Sequence, residues 1–282
     1  MHETAPRRSH RGLLVFGLIS FLAGGCAGEP LAGRATVAAA PPAPAVTPER
    51  LRARVVAEYP HDPRSYTQGL LWHEGVVYES RGRYGQSGVR RYRLDGEVLT
   101  DVEIPDEYFG EGLAMVGERL YQLTWQEGVV FVYEAESLEQ LERLAFRGEG
   151  WGLAFDGESL IVSDGTHVLT FLDPATLTSR RRLVVRQQGA VRDALNELEY
   201  VDGAIWANVY QIDEIVRIDP ESGAVTAVVD ASGLLDGAEV PRAEVLNGIA
   251  WRPDNGTFLL TGKYWPKMFE VVLEPVDDES AK

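Results

Sequence analysis

The sequence has one cysteine, five histidines, and no stretch after residue 26 apolar and long enough to look transmembrane. With Cys26 alone there is no internal disulfide, so no bridge framework holds the fold. His2, His10, His61, His73 and His167 are scattered, and no pair has metal-ligand spacing. No GxSxG, Walker or GxGxxG string occurs, which removes the common signatures of hydrolase, P-loop and dinucleotide chemistry. Basic residues are the scarcer charge, 27 Lys and Arg against 43 Asp and Glu. A net charge of −16 repels phosphates and argues against a nucleic-acid partner. No amphipathic helix pattern follows residue 50. What is present is a chain of 282 residues, 45% hydrophobic, with 6 Trp, 11 Tyr and 9 Phe. That excludes disorder and supplies a sizeable core, and 29 Gly point to many turns.

Residues 1–26 read as a targeting segment. Arg7, Arg8 and Arg11 form a positive start, and Gly12 to Ala23 an apolar stretch too short to span a bilayer. The run ends Leu22-Ala23-Gly24-Gly25-Cys26, which resembles a bacterial lipoprotein signal with Cys26 as the lipidated residue. The position three before the Cys holds Ala23, with Leu22 one further out; an ordinary secretory signal is the other reading. Residues 27–48 are rich in Ala and Pro and read as a flexible tether. Residues 49–275 form the folded domain and 276–282 an acidic disordered tail. Without residues 1–26, which carry three Arg and one Glu, the charge is −18. The expected location is outside the cytoplasm of a bacterium, periplasmic or as an outer-membrane-anchored lipoprotein, with the lipid anchor the only membrane contact.

The domain is repetitive. TQGLLWHEGVVYES from Thr67, GEGLAMVGERLYQLTW from Gly110, GWGLAFDGESLIVSD from Gly150, LNELEYVDGAIWANVY from Leu195 and LNGIAWRPDNGTFLLTGK from Leu246 align. Each has a polar or Trp residue, then Gly (or Glu197), an aliphatic residue, a Gly turn and a second strand. Gln68, Glu111, Trp151, Asn196 and Asn247 share a column, separated by 43, 40, 45 and 51 residues. The second unit reads as strands over 112–116, 120–125, 129–133 and 138–146. Segments 186–194 and 231–245 read as insertions. Four strands per forty-odd residues predict an all-β, five-bladed β-propeller with four-stranded antiparallel blades. The fifth unit holds only three strands, so Ala53–Tyr59 is expected to supply the outer strand of the last blade and close the ring. A β-sandwich does not explain in-phase repeats. A monomer is the simplest reading of a closed ring.

In a propeller the first strand of each blade lines the channel, so the column should converge at one mouth. Solvation alone explains some polar residues there, but a carboxylate, three amides and an indole together suggest a site. A second column, Ser80, Trp125, Asp164, Tyr210 and Lys263, ends the second strands near the same rim. Its aromatics and Trp151 would wall a ligand pocket, although each taken singly fits blade packing. Arg180-Arg181-Arg182 reads as a solvated strand edge.

The strings YPHD (59–62), YTQGL (66–70), YFGEGL (108–113), GWGLAFDG (150–157), LNELEYVDG (195–203), VLNGIAW (245–251) and TGKYWPKMFEV (261–271) resemble the glutamine cyclotransferase family. The resemblance covers about residues 53–273. It implies a five-bladed propeller that converts the N-terminal glutamine of peptides or proteins to pyroglutamate with loss of ammonia, without a cofactor or catalytic metal. It also implies that Glu111 is the catalytic proton shuttle, and that Lys263 and Asn196 bind or polarise the substrate amide. By the same resemblance Gln68 holds the substrate main chain, and Trp125 and Trp151 form walls with Tyr66, Phe109 and Tyr210. Tyr210 stands where relatives have Trp, and Tyr66 where they have Phe. Asn247 completes the expected substrate-binding set. A Glu beside Phe109 and Trp walls is expected to have a raised pKa. Two rival readings stand beside this one: a calcium-dependent lactonase-type propeller, and a non-enzymatic lipoprotein binding or assembly propeller.

Overall fold

The computed structural model describes residues 46–236 and 240–276. The expected signal over 1–26 with Cys26, the tether up to residue 45 and the tail from 277 lie outside the described residues. The fold is all-β. β1 (Glu49–Pro60) precedes a first group of β2 (Thr67–His73), β3 (Val76–Arg81), β4 (Gly88–Tyr92) and β5 (Val98–Glu103). The second group is β6 (Gly110–Val116), β7 (Arg119–Thr124), β8 (Val129–Glu134) and β9 (Gln140–Ala145). The third is β10 (Leu153–Phe155), β11 (Leu160–Val162), β12 (Val168–Leu172) and β13 (Ser179–Val184). A short hairpin follows, β14 (Arg186–Gln187) with β15 (Ala190–Val191), where the sequence suggested only an insertion. The fourth group is β16 (Leu195–Val201), β17 (Ala204–Val209), β18 (Glu214–Ile218) and β19 (Val225–Asp230). β20 (Leu246–Arg252), β21 (Thr257–Gly262) and β22 (Lys267–Pro275) end the chain.

The first three groups are separate four-stranded antiparallel sheets in sequence order, and the strands read for the second unit match β6 to β9 to within about two residues. β1 contains the strand read at Ala53–Tyr59 and pairs antiparallel with β22, from Leu51↔Pro275 to Pro60↔Lys267. Its first residues also pair in parallel with β19, Glu49↔Ala227 to Arg52↔Asp230. This second pairing was not legible in the repeats, and it fuses the last two groups into one eight-stranded sheet.

Local sequence explains the hairpins. The five repeat glycines Gly75, Gly117, Gly157, Gly203 and Gly256 all have positive φ, between 60° and 96°. Glu74 and Asp202 precede two of them with φ of 46° and 49°, the double left-handed geometry that suits a two-residue hairpin turn. Five apolar clusters then join the groups. Leu113, Leu120 and Phe131 pack with Tyr78 and Val89 between the first and second. Val130 and Val132 meet Leu153 and Leu160, and Phe171 and Leu169 meet Leu198 and Val216. Ile215 and Val229 meet Ile249 and Phe269, and Leu259 and Met268 meet Leu70 and Val77.

The inner strands touch where the second repeat residue is glycine. A Cβ on Gly112 would lie 2.4 Å from the Leu153 nitrogen, and one on Gly152 only 2.0 Å from the Asn196 carbonyl. In the fourth unit Glu197 takes this place. Its carboxylate accepts the backbone N–H of Leu70 (3.2 Å) and of Ile249 (2.8 Å), tying β16 to β2 and β20. Burial raises the Glu197 carboxyl well above its usual range, Glu199 adds to the shift, and the two backbone donors oppose it. Gly152→Ala is therefore expected to lower stability by about 3 kcal/mol, the upper end for overpacking. Gly117→Ala, with φ +60° but open space, should lose about 1 kcal/mol from backbone strain alone. Urea unfolding of both variants checks this, and equal losses would refute the close-approach account.

Of the run Arg180-Arg181-Arg182, Arg180 and Arg182 are exposed and Arg181 is half-buried. Arg180 bonds Asp173, Glu158 and Ser159, while Arg181 donates to the Pro220 carbonyl and lies 3.5 Å over the Phe171 ring centroid.

Candidate active site

Four of the five first-column residues sit at strand irregularities. Register shifts fall between Thr67 and Gly69, Gly110 and Leu113, Leu195 and Leu198, and Leu246 and Ile249. Gln68, Glu111, Asn196 and Asn247 lie inside them. A bulge leaves a residue out of the ladder and re-aims its side chain, which turns these four away from strand alternation. Trp151 stands just before β10, its N–H donating to the Ser163 carbonyl.

Gln68, Glu111, Trp151 and Asn196 line one cavity of about 230 Å3 with Tyr66, Phe109, Trp125, Tyr210, Lys263 and Arg83. Nine expected site residues therefore meet in one pocket. Asn247 is not in the lining. It is buried beneath, its Nδ2 donating to the Thr67 carbonyl (3.0 Å) and to Gln68 Oε1 (3.2 Å). Gln68 Nε2 in turn donates to Glu111 Oε1 at 2.9 Å. The three form a chain that orients the carboxyl, so Gln68 serves Glu111 and Asn247 acts through Gln68. Asn196 Oδ1 is buried and has no hydrogen-bond partner among the described residues.

The second column divides. Trp125, Tyr210 and Lys263 reach the cavity, and Ser80 and Asp164 do not. Ser80 lies one residue inside β3, buried, and accepts Gln122 Nε2. Asp164 accepts the backbone N–H and hydroxyl of Thr166 and lines a separate cavity of about 550 Å3, with Thr170 and Thr176 to Ser179.

The walls are aromatic. Phe109 meets Tyr66 at 6.1 Å and Trp125 at 5.8 Å between ring centroids, and Trp151 meets Tyr210 edge-on at 5.4 Å. Lys263 Nζ lies 4.4 Å from the Tyr66 ring centroid and 5.2 Å from that of Tyr210, so ring faces partly replace its hydration. Burial pushes the Lys263 ammonium down to about 8, with Glu111 and Glu244 opposing and Arg83 assisting. Burial likewise holds the Glu111 carboxyl well above the usual carboxylate range. Lys263 opposes this shift, and Glu127 and Glu149 reinforce it. The raised value expected beside Phe109 and the Trp walls is what the geometry gives.

Two contributors escaped the repeat. Arg83, at φ +98°, stacks over Tyr66 at 4.1 Å and donates to Tyr264 Oη (3.0 Å) and Glu244 (3.4 Å). Glu149 accepts the indole N–H groups of both Trp125 and Trp151. It directly precedes the GWGL string, so position was its only signal. Among the described residues no group of three His, Cys, Asp or Glu could hold a metal ion.

On this all-β scaffold, a buried glutamate with a raised pKa, a lysine ammonium with a lowered one and an unpaired amide oxygen inside aromatic walls could exchange a proton beside a bound polar group. The glutamine cyclotransferase family model matches residues 31–273, and the chain belongs to that family. It is 41% identical over 233 residues to an Arabidopsis thaliana glutaminyl-peptide cyclotransferase, covering 80% of this chain and 72% of the relative. The crystal structure of Myxococcus xanthus glutaminyl cyclase superposes with a TM-score of 0.75 at 38% identity, covering 82% of this chain and all of that one.

Proposed function

We propose that this chain is a glutaminyl-peptide cyclotransferase, acting on peptides or proteins with N-terminal glutamine. The observation that carries the chemistry is Glu111, buried in an aromatic pocket and held by Gln68. The substrate's neutral α-amine attacks the δ-carbon of its own side-chain amide, forming the ring C–N bond and a tetrahedral oxyanion. Glu111 takes the proton released by the amine and passes it to the amide nitrogen. The old C–N bond then breaks, leaving pyroglutamate and ammonia. The Lys263 ammonium faces the oxyanion, where a preorganised charge in a dry pocket is most effective. Asn196 Oδ1 accepts an N–H of the substrate amide. Trp125 and Trp151, with Tyr66, Phe109 and Tyr210, enclose the glutamine side chain and exclude water.

The scaffold reading is a five-bladed propeller closed by β1. It is supported by apolar clusters that join each group to the next and the last to the first, and by the β1–β22 pairing. The exported, Cys26-anchored location rests on the sequence of residues 1–26 alone. The calcium-dependent lactonase reading is not favoured, since one carboxylate and a lysine ammonium line the pocket, against the six to eight oxygens calcium takes.

The test is coupled measurement of ammonia and pyroglutamyl product from Gln-Xaa dipeptides, with and without a chelator. Stoichiometric release, unchanged by chelation, is expected. Folded protein that releases neither would overturn the assignment, and activity lost on chelation and restored by calcium would favour the rival.

A further inference from the structure

We propose that Glu149 is a positioning residue for this site, a carboxylate clamp that sets the in-plane orientation of both indole walls. One oxygen, Oε1, accepts Nε1–H from Trp125 and, at 2.9 Å, from Trp151; Oε2 accepts Gln126 Nε2 at 3.4 Å. The two indoles come from different sheets. Trp125 directly follows β7 of the second group, and Trp151 precedes β10 of the third. An indole N–H is a donor only, so a half-buried ring without an acceptor gains little by staying in one rotation.

Packing also holds the rings, and the carboxylate adds the polar contact that selects which edge carries each N–H. Gly165 lies flat against Trp151, where a Cβ would sit 2.8 Å from the ring, and Tyr210 meets its edge. Phe109 meets Trp125 at an interplanar angle of 60°. The shared carboxylate bonds both rings directly, beside a backbone bond from the Gly150 N–H to the Trp125 carbonyl at 2.9 Å. The clamp stands outside the lining itself and acts through the tryptophans. Its negative charge also favours the protonated form of Glu111.

This inference rests on the cyclotransferase reading, because the walls it sets are those that hold the glutamine side chain. Loosened walls weaken substrate placement, so the effect belongs mainly in KM. Glu149→Ala removes the acceptor, whereas Glu149→Gln keeps the oxygen that can serve both indoles, removes the charge and gives up only the long Gln126 bond. The experiment measures kcat and KM on a Gln-Xaa dipeptide, tryptophan emission with acrylamide quenching, and the thermal midpoint of each variant. Glu149→Ala is expected to lower kcat/KM about 30-fold, chiefly through KM, with red-shifted, more quenchable emission and little change in midpoint. Glu149→Gln should recover wild-type emission and come within about fivefold of wild-type KM.

Unchanged KM and emission in folded Glu149→Ala would overturn the proposal. Equal impairment of both variants would assign the effect to charge and overturn the clamp as well. A wild-type protein without turnover overturns the cyclotransferase reading and with it the reaction role, and the quenching comparison then still reads whether the carboxylate fixes the indoles.

Discussion

Glu111→Gln is expected to release ammonia from a Gln-Xaa dipeptide about a thousandfold more slowly than the wild type, within the range a positioned proton-transfer group contributes. The amide matches the carboxyl in shape, and its oxygen can still accept the Gln68 Nε2 bond. The pocket is thus preserved, and only the capacity to take and return a proton is lost. The loss should fall on kcat, with KM within about twofold. The pH profile carries the same argument. Because burial holds the Glu111 carboxyl well above its usual range, its affinity for protons moves toward that of a peptide α-amine, about 7.7–8.0. Transfer between such groups is better matched than it would be to a solvated carboxylate. Wild-type kcat/KM should rise with pH as Glu111 and the substrate amine lose protons, and fall above about 8 as Lys263 loses its own. The residual activity of Glu111→Gln should keep only the part of the rise that belongs to the amine. Wild-type kcat in this variant would remove Glu111 from the mechanism.

The two repeat columns made seven of the pocket residues legible, Gln68, Glu111, Trp125, Trp151, Asn196, Tyr210 and Lys263, while Tyr66 and Phe109 came only with the family resemblance. The first column works because the repeat fixes where each inner strand starts, and the bulges there sit at the same repeat position in four units. Alignment could not say which way a bulged side chain leaves the strand. That is why Asn247, equivalent in sequence to Gln68, lies under it instead of beside it. The second column failed at Ser80 and Asp164 for local reasons. β3 continues to Arg81 and keeps Ser80 inside the sheet, whereas β11 ends at Val162 and releases Asp164 into a turn closed on Thr166. Arg83 and Glu149 were not legible because their roles lie in contacts between units, Arg83 with the Tyr264 turn and Glu149 with indoles from two sheets. The parallel pairing of β1 with β19 was hidden likewise, since the count of strands per unit left a place for β1 only beside the last unit and none beside the complete fourth one.

The YPHD string supplies the second large expected effect. His61 is buried, its Nδ1 2.6 Å from the Trp265 carbonyl and its Nε2 3.1 Å from Glu79 Oε1. Glu79, on β3, also accepts the hydroxyls of Ser65 and Thr67, and both Nε and Nη2 of Arg90 on β4, whose Nη1 bonds Asp62. The Ser65 carbonyl accepts the Tyr264 N–H at 2.7 Å. One buried carboxylate therefore joins the end of β1, the segment carrying Tyr66 and Gln68, and the turn carrying Lys263. Arg90, strongly hydrogen-bonded and nearly as buried, holds the Glu79 carboxyl well below its usual range despite burial, and His61 assists. Glu79→Ala leaves the buried Arg90 guanidinium with only the partly exposed Asp62 as its counter-ion, which should lower stability by about 3 kcal/mol, the low end for breaking a buried pair. In a domain of this size that shifts the thermal midpoint by on the order of 10 °C. The sign with pH follows from the lowered value. The carboxylate's contribution is complete above its unfolded value of about 4.5 and is lost as pH falls through the lower folded one. The gap between wild type and variant should thus be widest near neutrality and shrink in acid. Loss of the network frees the Tyr66 and Lys263 segments together, so activity should fall at temperatures below the variant's melting transition. Equal midpoints for Glu79→Ala and wild type at neutral pH would show that the carboxylate does not hold these segments.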